Sequence, residues 1–233
     1  MWIDSDRYKH ENVLEELTRR LMLDLKNLRA TGYDPEKNAC QILKFEYGDV
    51  YPELSNVTDV EYHKPEQFVD KPNPREIWYA EALYLDGKLH ERFKPNWPLT
   101  SEYIDKIPGL LQMIVNFIKP GGVLPYHDDR GGWERIDTWT GDLQRGFTVS
   151  IGVDIPTDDP AICGLEFEGE RRGCRTGEWV IFEGRNFHHN CWNHSTGWRI
   201  AGVVDIKASE FNLEGFEEKL NAAWTKEALL YVR

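Results

Sequence analysis

Pro125-Tyr126-His127-Asp128-Asp129 is a stretch whose residue types and spacing could do chemistry. On an extended strand, residues i and i+2 share a face, so His127 and Asp129 point together while Asp128 points away. An imidazole and a carboxylate on one face are two of the three ligands that hold non-haem iron(II), whose other positions stay open. The same residues also fit a polar strand end with a solvated carboxylate, so the pair needs a third ligand from elsewhere. Phe187-His188-His189-Asn190-Cys191-Trp192-Asn193-His194 offers three histidines. His188 and His189 fall on opposite faces of a strand, so at most one of them joins the site. His194 stands beside a Ser195-Thr196-Gly197 turn and is expected to be exposed.

Arg199 favours His189 as that ligand. With a turn centred near Ser195–Thr196, Arg199 lies opposite Trp192 on the neighbouring strand, roughly 10 Å along from His189 at the usual strand rise. A five-carbon diacid chelating iron by its 2-oxo acid end would extend its far carboxylate into that region. A guanidinium meets a carboxylate with two parallel charge-assisted hydrogen bonds, which makes Arg the expected partner. Taken alone, Arg199 also suits a salt bridge at the end of a barrel.

The three features share one strand-rich segment: the HxD pair, a His 60 residues after Asp129, and an Arg ten residues beyond that His. In this arrangement the chain resembles the 2-oxoglutarate/iron(II) oxygenases, and within them the aspartyl/asparaginyl β-hydroxylase-like group. The resemblance is carried by 116–127 (Asn-Phe-Ile-Lys-Pro-Gly-Gly-Val-Leu-Pro-Tyr-His), by 177–183 (Gly-Glu-Trp-Val-Ile-Phe-Glu) and by 187–205, with its Phe-x-His-x-x-Trp-Asn-His run. It implies a double-stranded β-helix, a jelly roll of the cupin-like kind, with Fe(II) at its open end. It carries His127 and His189 over as iron ligands and Arg199 as the clamp for 2-oxoglutarate, with O2 as the second cosubstrate. Asn116 matches a small polar position near the cosubstrate. Thr148 and Ser150 stand where some members have an Arg and a His that assist cosubstrate binding, and there the sequence departs from the pattern. Asp129 is a second departure, because vertebrate-type members have glycine at that position. Related halogenases also have a small residue there, so Asp129 favours hydroxylation.

The elements that must hold these residues read as mainly β with flanking helices. Strand-like runs fall at 111–118, 123–127, 146–155, 164–168, 178–183, 187–192 and 198–206, separated by Gly, Pro and Asn. Glu11–Leu28 has the apolar spacing of an amphipathic helix, a short helix fits Ser101–Lys106, and Ser209–Leu230 returns to helical spacing. Leu83–Leu89 reads as strand, Asp-Gly turn, strand. The expectation is one domain over 1–233, with a β-core at about 110–206, an N-terminal helical and mixed extension over 1–109, and a C-terminal helix at about 209–230. The long connection 130–145 carries glycines, two Trp and three Arg beside the HxD pair, as a lid would. Arg130, Trp133 and Arg145 are candidates for holding a carboxylate-bearing substrate; the alternative is a surface loop packed on the β-core.

A net charge of −12 repels phosphate backbones and anionic lipid, so neither nucleic acid nor membrane is expected as a partner. The expected partner is a small-molecule or peptide substrate. The first residues carry no apolar signal-like run and none of the four cysteines forms a CxxC pair, which fits reduced thiols in a cytoplasmic setting. Cys163 and Cys174 could meet across a hairpin, but two buried thiols are the simpler expectation. The rival readings are a cupin-like metal-binding protein or isomerase without oxygenase activity, and a structural β-sandwich with incidental His and Asp.

Overall fold

The computed structural model describes residues 2–41, 78–85, 87–127, 146–184, 189–216 and 218, and the side chains of all of these except 40, 41 and 125–127. Its strands are β1 (Trp2–Ile3), β2 (Cys40–Gln41), β3 (Trp78–Leu85), β4 (Lys88–Leu89), β5 (Leu110–Ile118), β6 (Gly122–His127), β7 (Gly146–Asp154), β8 (Cys163–Phe167), β9 (Glu170–Arg172), β10 (Trp179–Phe182), β11 (His189–Asn193) and β12 (Arg199–Lys207). The helices are α1 (Glu11–Ala30), α2 (Pro35–Asn38) and α3 (Pro98–Ser101). Two antiparallel sheets form. The larger runs β1-β10-β7-β12-β5-β3-β2, with β4 added beside β3, and the smaller runs β6-β11-β8-β9. This is the double-stranded β-helix that the family resemblance implies, and its large sheet also takes in β1 and β3 from the N-terminal part.

Each sheet face has a reason to be covered. Leu14, Leu17, Leu21, Leu25 and Leu28 recur every three or four residues along α1 and are buried, so one stripe of the helix lies on the large sheet. At Gly202 of β12 the helix comes so close that a Cβ would stand 2.9 Å from Leu21 Cδ1. Strand β7 sits between β10 and β12 and is buried on both faces in all but its last residue. The second core lies between the sheets, where Ile118 and Phe182 of the large sheet meet Leu124, Leu165, Phe167 and Cys191 of the small one. The candidate site belongs to this inner layer.

Three expectations change. The helix predicted from Ser209 does not begin there: Ala208–Glu210 is a single 3-10 turn, and Phe211 then pairs antiparallel with Tyr8. The Phe211 ring packs 4.7 Å from Phe147 and 5.2 Å from Tyr8, so burying that ring outweighs the local helical pattern. Beyond 216 the proposed helix lies outside the described residues, save residue 218. Around Ser101–Lys106 the chain forms α3 and a 3-10 turn at Ile104–Lys106 instead of one helix. Pro98 starts α3, and the buried Asp24 carboxylate accepts from Thr100 N and Thr100 Oγ1 at 2.8 Å, fixing this corner to α1. The third change concerns Arg199 and is taken up below.

The outer core also buries a charge that sequence reading missed. Glu81 of β3 is fully buried, with Tyr33 Oη and Asn96 Nδ2 donating to Oε1 at 2.8 and 2.7 Å and Trp97 Nε1 donating to Oε2. Burial raises its pKa despite these three donors. The folded state therefore holds the proton more tightly than the unfolded chain. This group's contribution to stability accordingly declines as pH rises from the ordinary carboxylate range through the raised value. Glu81→Gln turns an amide N–H toward one of the donors and is expected to cost about 1–3 kcal/mol. Urea unfolding at several pH values checks both points: the loss in stability, and the disappearance of this group's pH slope.

Candidate active site

His189 opens β11 and is 4% exposed. Its ring stands edge-on to Phe182, with centroids 5.0 Å apart. In the small sheet it is flanked by Phe167 of β8 and lies directly opposite His127, the last residue of β6. Directly opposed positions on antiparallel strands share a face and lie about 4.5–5.5 Å apart. The next pair along is Cys191 with Leu124, so β6 carries one extra residue at this point. Pro125 falls in that interval and has no N–H to give to the ladder, which is where a bulge is tolerated. The bulge thus sets the register that brings position 127 to His189.

Arg199 is the first residue of β12 and is 5% exposed. It lies opposite Ile118, an inner-layer residue, so it too faces the space between the sheets. The expected hairpin from β11 to β12 is not formed. β11 pairs with β6 and β8, whereas β12 pairs with β5 and β7, so Arg199 is not opposite Trp192. Residues 194–198 instead carry the chain from the small sheet to the large one. The fully buried Asn193 makes that corner: its Nδ2 donates to the carbonyls of Ile118, Lys119 and Gly197 at 3.0, 3.2 and 2.8 Å. Its Oδ1 accepts from Ser195 Oγ at 2.6 Å. His194 is exposed, as expected.

Among the described residues, two thiols interact with the buried guanidinium and no carboxylate pairs with it. The Arg199 charge acts on both Cys163 and Cys174. Burial raises both thiols, Cys174 to about 11, against the opposing pull of the Arg199 charge. Both are therefore neutral near pH 7, and both are free thiols. Arg199 has no ion pair among the described residues.

Asn116 is half-buried on β5, and its Oδ1 accepts from Trp78 Nε1 at 3.1 Å. Thr148 and Ser150 are buried on β7. The Thr148 hydroxyl donates to Asp205 Oδ1 at 2.8 Å, and the Ser150 carbonyl accepts from Cys174 Sγ at 3.8 Å. Asp129, Arg130, Trp133 and Arg145 lie outside the described residues. The backbone thus brings His127 and His189 together and turns Arg199 into the same inner layer. Sequence reading missed Asn193, Asp205, Cys163 and Trp78. Of these, Asn193 and Asp205 had a visible signal, as the Asn of the Trp-Asn-His run and as the Asp that ends the stretch 187–205.

The family model for aspartyl/asparaginyl beta-hydroxylase matches residues 38–209, well over half of the chain. The chain belongs to the aspartyl/asparaginyl β-hydroxylase family and is an enzyme, a hydroxylase of the 2-oxoglutarate/iron(II) oxygenase type. Membership decides against the isomerase and structural-sandwich readings. Similar solved structures include the viral collagen prolyl hydroxylase vCPH from Paramecium bursaria Chlorella virus-1, 16% identical with a TM-score of 0.37 over 57% of this chain and 80% of that one. A 2OG-Fe(II) oxygenase family oxidoreductase from Burkholderia pseudomallei is 10% identical with a TM-score of 0.38 over 58% and 70%. A Pseudomonas putida prolyl-4-hydroxylase is 14% identical with a TM-score of 0.33 over 57% and 73%. No curated protein matches the chain. Among the described residues no helix is long and apolar enough to cross a membrane.

Proposed function

We propose that this enzyme hydroxylates a C–H bond of an amino acid, an amino-acid residue or another small carboxylate-bearing substrate, with His127, Asp129 and His189 as iron(II) ligands and Arg199 as the clamp for 2-oxoglutarate. The observation that carries the reading is the buried Arg199 guanidinium, flanked by neutral thiols and without an ion pair among the described residues. A buried cation without a counter-charge is costly, and a ligand carboxylate relieves that cost while supplying the bidentate partner an Arg fork is shaped for.

The donor set fits the metal. Two imidazoles and one carboxylate are the facial set for ferrous oxygenases, and the opposed register of His127 and His189 supports two of the three ligands. When bound, the iron with 2-oxoglutarate and O2 supplies the oxidant: the cosubstrate leaves as succinate and CO2, and one oxygen atom enters the substrate as a hydroxyl. The protein's share is to orient and to keep water out. Phe182 holds the His189 imidazole edge-on, and Ile118, Leu124, Leu165 and Phe167 dry the inner layer. Asn116, Thr148 and Ser150 are assigned to the cosubstrate wall. Arg130, Trp133 and Arg145 are assigned to the substrate carboxylate. A cytoplasmic setting fits the free thiols.

Succinate formation over a panel of free amino acids and short peptides tests this reading. Stimulation by one class, abolished in His189→Ala, is expected; succinate output that no member of the panel raises counts against an amino-acid substrate. With the responsive substrate in hand, Arg130→Ala is expected to raise its KM with little change in uncoupled 2-oxoglutarate turnover.

A further inference from the structure

Trp2 reaches from the N-terminal edge into the wall behind His189. Its two-residue strand pairs with β10, with Trp2 directly opposite Phe182 and Ile3 opposite Ile181. Opposed residues share a face, so the indole joins Phe182 in the inner layer, 5.5 Å from its ring. It also meets the other sheet: Phe167 of β8 lies edge-on at 5.9 Å, and the Arg172 guanidinium of β9 stands 4.5 Å from the ring centroid. Among the described strands, β9 ends the small sheet and β1 ends the large one. One side chain therefore bridges the two sheets where the described strands of both end. Phe182, which it supports, packs on His189.

The contacts say what holds the bridge. The Trp2 indole N–H is buried and meets no acceptor among the described residues, so the ring is kept there by packing and by the cation above it. An unsatisfied N–H contributes nothing favourable. A phenyl ring should therefore serve in its place.

We propose that Trp2 is a positioning residue of the active site, closing the open side of the β-sandwich, holding Phe182 against the His189 imidazole and keeping bulk water from the metal end. The proposal rests on His189 being an iron ligand. Trp2→Ala removes the bridge, whereas Trp2→Phe keeps a ring without the N–H. Amide hydrogen exchange, which needs no metal, should quicken in Trp2→Ala over 163–167, 179–182 and 189–193 while the middle of α1 stays protected. Anaerobic iron(II) affinity should fall about tenfold, as when groups orienting a metal ligand are lost. Uncoupled 2-oxoglutarate turnover per bound iron should rise, and Trp2→Phe should restore all three. A merely structural role would lower thermal stability without moving turnover per bound iron. Should Trp2→Ala not fold, Trp2→Leu, apolar but too short to bridge, gives the same readings. Wild-type exchange and iron affinity in the bridge-less variant, or a Phe variant as impaired as Ala, overturns the proposal. A wild-type protein that takes up no iron overturns the functional assignment itself, and the role of Trp2 with it.

Discussion

Arg199→Met is expected to abolish 2-oxoglutarate binding without weakening the ligand-free fold. The side chain is 5% exposed, and its neighbours Cys163 and Cys174 are thiols whose pKa values burial raises, so neither offers a negative charge near pH 7. Replacing a buried cation that has no ion pair among the described residues by an apolar chain of similar length removes a desolvation penalty, and such exchanges are often neutral or stabilising. Binding is a different matter. Loss of one partner of a buried, hydrogen-bonded charge pair costs about 2–5 kcal/mol, so the dissociation constant for 2-oxoglutarate should rise at least roughly thirtyfold. Calorimetry of the iron-loaded protein and thermal unfolding with and without 2-oxoglutarate read the two effects separately. The wild type should gain thermal stability from the cosubstrate, and the variant should gain none. Arg199→Lys keeps the charge and loses the fork, so it should recover only part of the affinity. A variant that binds 2-oxoglutarate as the wild type does removes Arg199 from the site.

His189→Ala is expected to lose iron(II) and with it at least about a hundredfold of the activity. The imidazole is buried at the start of β11, opposite position 127, with Phe182 against one edge. Truncation also leaves a gap beside Phe182, so His189→Gln, which keeps bulk there, separates loss of the ligand from loss of packing. Both variants should fail to retain iron after gel filtration, while far-UV circular dichroism stays that of the parent. His194→Ala is the internal comparison, since His194 is exposed at the corner between the sheets and should retain the metal. Full iron occupancy in His189→Gln would show that the imidazole is not a ligand.

Much of this was legible in the sequence because strands announce themselves by alternation and by the Gly, Pro and Asn that end them. The strands from β5 to β12, apart from the three-residue β9, fall within a residue or two of their expected positions. His127 and His189 are singled out by residue type, by spacing and by Arg199, and the strand register sets them opposite each other, while Asp129 lies outside the described residues. The path between β11 and β12 could not be read in this way. Ser195-Thr196-Gly197 is good hairpin chemistry, and what overrides it is Asn193, whose buried amide ties three carbonyls together and turns the chain toward the other sheet. Arg199 reaches the inner layer by that crossing and not across a hairpin.

Other features leave no periodic trace. A two-residue strand such as β1 has no pattern to read, so Trp2 shows itself only once Phe182 and Phe167 are seen on either side of it. Nothing in the local pattern marks Glu81 as buried, yet Tyr33 and the neighbouring pair Asn96 and Trp97 gather on it from two separate places in the chain. Phe211 belongs to a helical pattern until its ring finds Phe147. In each case contacts between residues distant in sequence decide the outcome, and local spacing carries no record of them.

The most direct test of the account is the visible absorption of the iron(II)-loaded protein when 2-oxoglutarate is added without oxygen. Chelation of the ferrous ion by the 2-oxo acid should give a weak charge-transfer band that saturates at one equivalent in the wild type. At the same cosubstrate concentration it should be nearly absent in Arg199→Met. A wild-type protein that holds iron yet shows no band on saturation with 2-oxoglutarate would contradict the account at its centre.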